Sequence, residues 1–128
     1  MTDHETPSQR RIASLCEALD SQPEGAARAR LLAELLVEEG HDRHEDVVFE
    51  LGLIGESSAV PAIAKALVIP FSSLVQWGNL HEFQRKCAYA LARIGTNESR
   101  SVLEQMAEHG DPHLREYGVE GLSKWPLK

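Results

Sequence analysis

Leu51-Gly52-Leu53-Ile54-Gly55 is answered, 40 residues later, by Leu91-Ala92-Arg93-Ile94-Gly95. Each phrase closes one apolar helical pattern and opens the next. The glycine after each marks a helix end, because a residue without Cβ accepts the left-handed conformation that turns the chain. A helix–turn–helix unit that recurs is the mark of a repeat architecture, since one unit cannot bury its apolar face without a neighbour. The expected fold is all-α: a short right-handed α-solenoid of about seven antiparallel helices. It forms one domain over residues 1–128, with about three and a half helix pairs and an insertion near 70–80.

Outward from that phrase, residues 43–54 carry Val47, Val48, Leu51 and Ile54 within one helical stripe. Cys87, Ala88, Leu91 and Ile94 repeat the stripe over 81–94. After Gly55, Ser57 or Ser58 is placed to cap a fourth helix that tolerates Pro61 in its first turn. Ala62, Ile63, Ala66 and Leu67 form its buried side, and Pro70 ends it. After Gly95, Thr96 or Asn97 caps a sixth helix with Val102, Leu103, Met106 and Ala107 inward. Gly110-Asp111-Pro112 then stops that helix and starts a seventh, which reaches Trp125 before Pro126. Upstream, the helix over 8–20 buries Ile12, Leu15, Cys16 and Leu19, and Ser21-Gln22-Pro23 breaks it. The helix over 24–39 buries Leu31, Leu32, Leu35 and Leu36 and stops at Gly40. Short connections make successive helices antiparallel.

Aromatic residues make up only 5% of the chain, which with abundant Ala and Leu suits close-packed helices better than sheets. No apolar run approaches the ~20 residues that span a bilayer. The opening Met1-Thr2-Asp3-His4-Glu5 lacks the basic flank and apolar stretch of a secretory signal. Cys16 and Cys87 belong to no CxxC pattern and read as reduced, buried cysteines. A cytoplasmic location and no membrane contact are expected.

The net charge of −7 is uneven: residues 1–64 hold 13 acids and 5 bases, and residues 65–128 hold 7 acids and 8 bases. Between Glu34 and Glu56 stand Glu38, Glu39, Asp42, Glu45, Asp46 and Glu50 against a single Arg43. Such a field repels nucleic-acid phosphates and attracts basic proteins or cations. It also reads as an ordinary solubilising face.

Asp111-Pro112-His113-Leu114-Arg115, with Gly118, Leu122 and Trp125, resembles the opening helix of a HEAT-like repeat of the phycobilisome-lyase type. In that family an aspartate turn and an arginine precede a helix rich in small residues that ends in Leu-Gly-x-Ile-Gly. Leu51–Gly55 and Ala59-Val60-Pro61-Ala62-Ile63 match the end of one helix and the start of the next. Aligned this way, the arginine position falls at His44, Gln84 and Arg115. Gln84 and Arg115 lie 31 residues apart, the family's usual period, so the 40 between His44 and Gln84 mark an insertion near 70–80. The resemblance covers residues 43–126 and implies a HEAT-like, armadillo-type superhelix. Most such arrays are protein-binding scaffolds; some are lyase subunits for tetrapyrroles, and a few are enzymes.

One HEAT-repeat enzyme, deoxyhypusine hydroxylase, binds iron through His-Glu pairs, and this chain has His44-Glu45 and His81-Glu82. His44 precedes Leu51 by seven residues, whereas His81 precedes Leu91 by ten, so the pairs are not in register. His41 and His44, beside Asp42 and Glu45, have spacing suited to a divalent ion but read as a surface pair at a helix start. His109 and His113 straddle Gly110-Asp111-Pro112 and share no helix face. With no phosphate loop, nucleophile elbow or zinc-type cluster, neither catalysis, metal nor cofactor is expected.

The insertion Phe71-Ser72-Ser73-Leu74-Val75-Gln76-Trp77-Gly78-Asn79-Leu80 is either a short helix tucked over the core or a binding loop anchored by Trp77. Phe49 and Leu53 point away from the buried stripe; with Tyr89 they either pack between helices or form an apolar ridge rimmed with acid. Arg30, Glu34, Glu38, Lys65, Ser101, Gln105 and Glu108 are expected along the inner, concave side.

The function expected is a non-catalytic protein-interaction scaffold whose partner is a basic protein. The contact residues expected are Glu34, Glu38, Asp42, Asp46, Glu50, Trp77 and Glu108. Its most specific form is a bacterial immunity protein that neutralises a basic toxin, because opposite charge speeds encounter. A general assembly or regulatory adaptor, or a tetrapyrrole lyase or chaperone subunit, is the alternative.

Overall fold

Helix α1, Pro7–Asp20, opens the computed structural model, which describes residues 6–127. Thr6 caps α1 by accepting from the Gln9 backbone N–H, and the Gln9 side chain returns the bond. There follow α2 (Gly25–Leu36), α3 (His44–Ile54), a short 3-10 turn (Ser57–Ala59) and α4 (Val60–Ala66). Then come α5 (Ser72–Gln76), α6 (Leu80–Ile94), α7 (Asn97–Ala107) and α8 (Pro112–Lys124). Among the described residues there is no β-strand, so the all-α expectation holds. These are eight helices rather than about seven, because the insertion near 70–80 forms α5.

The repeated phrase has one geometry in both places. Gly55 (φ 78, ψ 18) and Gly95 (φ 70, ψ 22) are left-handed caps whose N–H groups bond Leu51 and Leu91 carbonyls. Thr96 caps α7 in a box with Ser99, and Asp111 caps α8 by accepting from the His113 and Leu114 N–H groups. Two other stops and one start differ from expectation. Helix α2 ends at Leu36 with Val37 as its cap, so Gly40 (φ 102) only bends the loop beyond it. Glu108, not Gly110, caps the end of α7. Neither Ser57 nor Ser58 caps α4; the Ser57 hydroxyl is drawn instead to Thr96 Oγ1, 3.1 Å away, and to Glu98.

Two series of neighbours run through the molecule. Helix α3 packs on α6, and α6 on α8; α2 packs on α4, and α4 on α7. The series join where α2 meets α3, α6 meets α7, and α7 meets α8, with α1 on α2. The seam between them is the core: Leu32, Leu35, Leu36, Val48, Leu51, Ile63, Leu91 and Leu103 are each at most 2% exposed. Phe71 and Phe83, both fully buried, fill it beneath the insertion. Small residues permit the closest approaches. A Cβ at Gly118 would lie 2.4 Å from the Ala107 backbone nitrogen, and one at Gly121 would strike Leu103.

His44, Gln84 and Arg115 perform one task. The His44 Nε2–H donates to the Glu38 carbonyl at 2.8 Å, just past the end of α2. The Gln84 amide donates to the Leu67 carbonyl at the end of α4, and the Arg115 guanidinium to the His109 and Gly110 carbonyls after α7. A helix leaves its last carbonyls without internal partners. Three different donors, 40 and 31 residues apart, thus bond carbonyls at or just past the ends of α2, α4 and α7.

Candidate partner-binding surface

The acids expected to make the contact divide into two groups. Glu34 and Glu38 both pair with Arg11 of α1, at 3.1 and 2.7 Å. Glu50 pairs with Arg28 of α2, whose guanidinium also donates to the Leu19 and Gln22 carbonyls at 3.0 Å. Glu45 pairs with Lys86 of α6 at 3.0 Å. Glu39 accepts from the Ser72 backbone N–H and hydroxyl and so fastens the start of α5. The cluster that reads as opposed by Arg43 alone is thus opposed by Arg11, Arg28 and Lys86 as well. Asp42 and Asp46 are exposed and form no ion pair among the described residues. Glu108 is exposed too, at the end of α7 and on a different element.

The insertion settles as a helix and keeps its tryptophan outside. Phe71 and Leu74 anchor α5 in the core, at 0% and 5% exposure. Trp77, at the C-terminal cap, is 73% exposed, and Val75 is 54% exposed. The Ser73 hydroxyl donates to the His41 carbonyl, and Asp42 and Gln76 line the same open cleft. The structure therefore brings α5 against the turn that carries Asp42, joining two of the expected contact residues' neighbourhoods.

On α3, Phe49 and Leu53 are 52% and 58% exposed, so neighbouring helices cover them only in part. They form a ridge facing solvent, with Asp46 beside it. Arg30, Lys65, Ser101 and Gln105 are exposed as expected of surface positions on α2, α4 and α7.

The histidines correct the surface reading. His44 is fully buried, stacked between His41 at 3.9 Å and Phe71 at 3.8 Å. The His41 Nε2–H donates to the Leu35 carbonyl, and its Nδ1 accepts from the Arg43 N–H. Both rings serve as caps for α2. The His44 Nδ1 is buried without a partner. Burial, then the neighbouring His41, lowers the His44 pKa to about 4, and burial also lowers that of His41. His81 stacks on His113 at 3.7 Å and donates to Gln84, so it too braces one helix against another.

Among the described residues no group of three His, Cys, Asp or Glu side chains is placed to hold a metal ion. No described helix is long and apolar enough to cross a membrane. No protein-family model, curated protein or solved structure matches the chain.

Proposed function

We propose that this chain is a non-catalytic, HEAT-like α-solenoid that binds a basic protein at the end where α5 meets the turn before α3. Trp77 is its apolar anchor, and Asp42 and Asp46 are its unpaired acids. The observation that carries the reading is Trp77 itself, 73% exposed on a helix whose Phe71 and Leu74 are fixed in the core. Tryptophan is enriched among the few residues that dominate interface energies, and here it is presented to solvent on a support fixed in the core.

The scaffold half of the proposal is supported by the two series of neighbouring helices, the matched Gly55 and Gly95 caps, and the shared task of His44, Gln84 and Arg115. In a right-handed solenoid the series α3, α6, α8 and α2, α4, α7 are the two layers. The net charge of −7 favours a basic partner even after the internal pairs are formed. A bacterial immunity protein acting on a basic toxin is the narrowest form of this reading.

The test is capture from the native lysate at low salt with the wild-type chain, Trp77→Ala and Ser101→Ala as baits. A basic protein held by wild type and Ser101→Ala, and lost from Trp77→Ala, is the expected result. Equal capture by all three would overturn the assignment of Trp77.

A further inference from the structure

A cleft of about 260 Å³ opens between α3 and α6, with no α5 residue in its lining. The two helices are pulled together at Gly52, and the short Ala90 side chain leaves a gap beyond it, walled by Phe49 and Tyr89. Tyr89 occupies the place in its repeat that Phe49 holds in the other, 40 residues earlier. Its hydroxyl donates to Glu120 at 2.5 Å, which holds the ring against α8.

Three cations line the cleft, and their partners differ. Arg85 makes a two-pronged pair with the two oxygens of Glu120, and Lys86 pairs with Glu45. Arg93 forms no ion pair among the described residues; its guanidinium lies 6.0 Å from the centre of the Phe49 ring. Glu82 lines the other end, eleven residues back along α6, or about 16 Å at the helical rise. The cleft is therefore polarised, with an aromatic wall and its one uncompensated cation at the Arg93 end.

We propose that this cleft is a second binding site, which takes a polypeptide segment carrying an apolar side chain next to a carboxylate. The apolar group lies between Phe49 and Tyr89, and the carboxylate meets Arg93, whose planar fork suits two parallel hydrogen bonds. A cationic segment would meet Arg93 unfavourably, so this site differs in charge preference from the surface around Trp77. A bare phosphate would leave the aromatic wall unused.

N-acetylphenylalanine, its uncharged amide, and phenethylamine are the probes, titrated into the whole chain at low salt and followed by NMR. The acid is expected to shift Phe49, Tyr89 and the Arg93 Nε–H, and to bind about fivefold tighter than the amide, the upper range for an exposed ion pair. Arg93→Gln abolishes that preference while keeping the amide's weak binding, and Phe49→Ala removes both. Trp77→Ala leaves all three titrations unchanged, so this site and the proposed partner surface are tested apart. Equal binding of acid and amide, preference for the amine, or no shift at these residues would overturn the proposal.

Discussion

Gly52 of α3 and Ala90 of α6 meet backbone to backbone: a Cβ at Gly52 would stand 2.9 Å from the Ala90 Cα. A side chain there must push the helices apart. Replacing glycine by alanine in a helix gains about 1 kcal/mol of propensity, and overpacking costs about 1–3 kcal/mol. Gly52→Ala is therefore expected to lose about 1 kcal/mol net in urea unfolding. Gly118→Ala, against the Ala107 backbone at 2.4 Å, loses more. Gly110→Ala, with open space around it and no positive φ, is the neutral control.

Acid should weaken the fold through His44. Its folded pKa, about 4, lies below the ordinary 6.5, so between those values the unfolded chain binds the extra proton. Stability is then full above about pH 6.5 and falls as pH drops towards 4. The loss is on the order of 3 kcal/mol at 1.36 kcal/mol per pKa unit. His44→Gln keeps a donor for the Glu38 carbonyl, as Gln84 does for Leu67, and is expected to fold with a flatter profile. The slope left behind belongs to His41 and, towards pH 4, to Glu120, Glu98 and Asp111, whose pKa values are also lowered. An unchanged profile in His44→Gln would show that His44 is not the titrating group.

Arg28 ties three elements through Glu50 and the Leu19 and Gln22 carbonyls. Arg28→Ala is expected to cost about 1–2 kcal/mol, because it removes bonds to two carbonyls as well as to an acid. Glu50→Gln, which spares the carbonyl bonds, should cost less than about 1 kcal/mol. Chemical denaturation of the two variants side by side decides between these roles.

The two cysteines should react in order. Cys87 is fully buried in α6, and burial pushes its thiol well above the usual range, whereas Cys16 is partly exposed. Under native conditions a thiol reagent is expected to modify Cys16 and spare Cys87 until urea unfolds the chain. Early modification of Cys87, located by peptide mapping, would contradict the packing of α6.

Much of this fold was legible because its punctuation is local. Gly55, Gly95, Thr96 and Asp111-Pro112 act within one turn of themselves, and the stripes at Val47–Leu51 and Cys87–Leu91 recur at helical spacing. The contact surface was less legible because its electrostatics are not local. Arg11 and Arg28 reach Glu34, Glu38 and Glu50 across 22 to 27 residues, and Lys86 reaches Glu45 across 41. No spacing rule along one helix connects such pairs. The depth of His44 was hidden for a related reason, since its cover comes from Phe71 and Phe83, 27 and 39 residues along the chain.

The most direct measurement is photo-crosslinking in the native lysate from benzoylphenylalanine installed at position 77, which keeps a large aromatic group in the anchor's place, with position 101 of α7 as the reference. A discrete adduct with a basic protein from position 77, absent from position 101 and weakened by added salt, is the predicted result. No adduct from position 77, or the same adducts from both positions regardless of salt, would contradict a partner docked on Trp77.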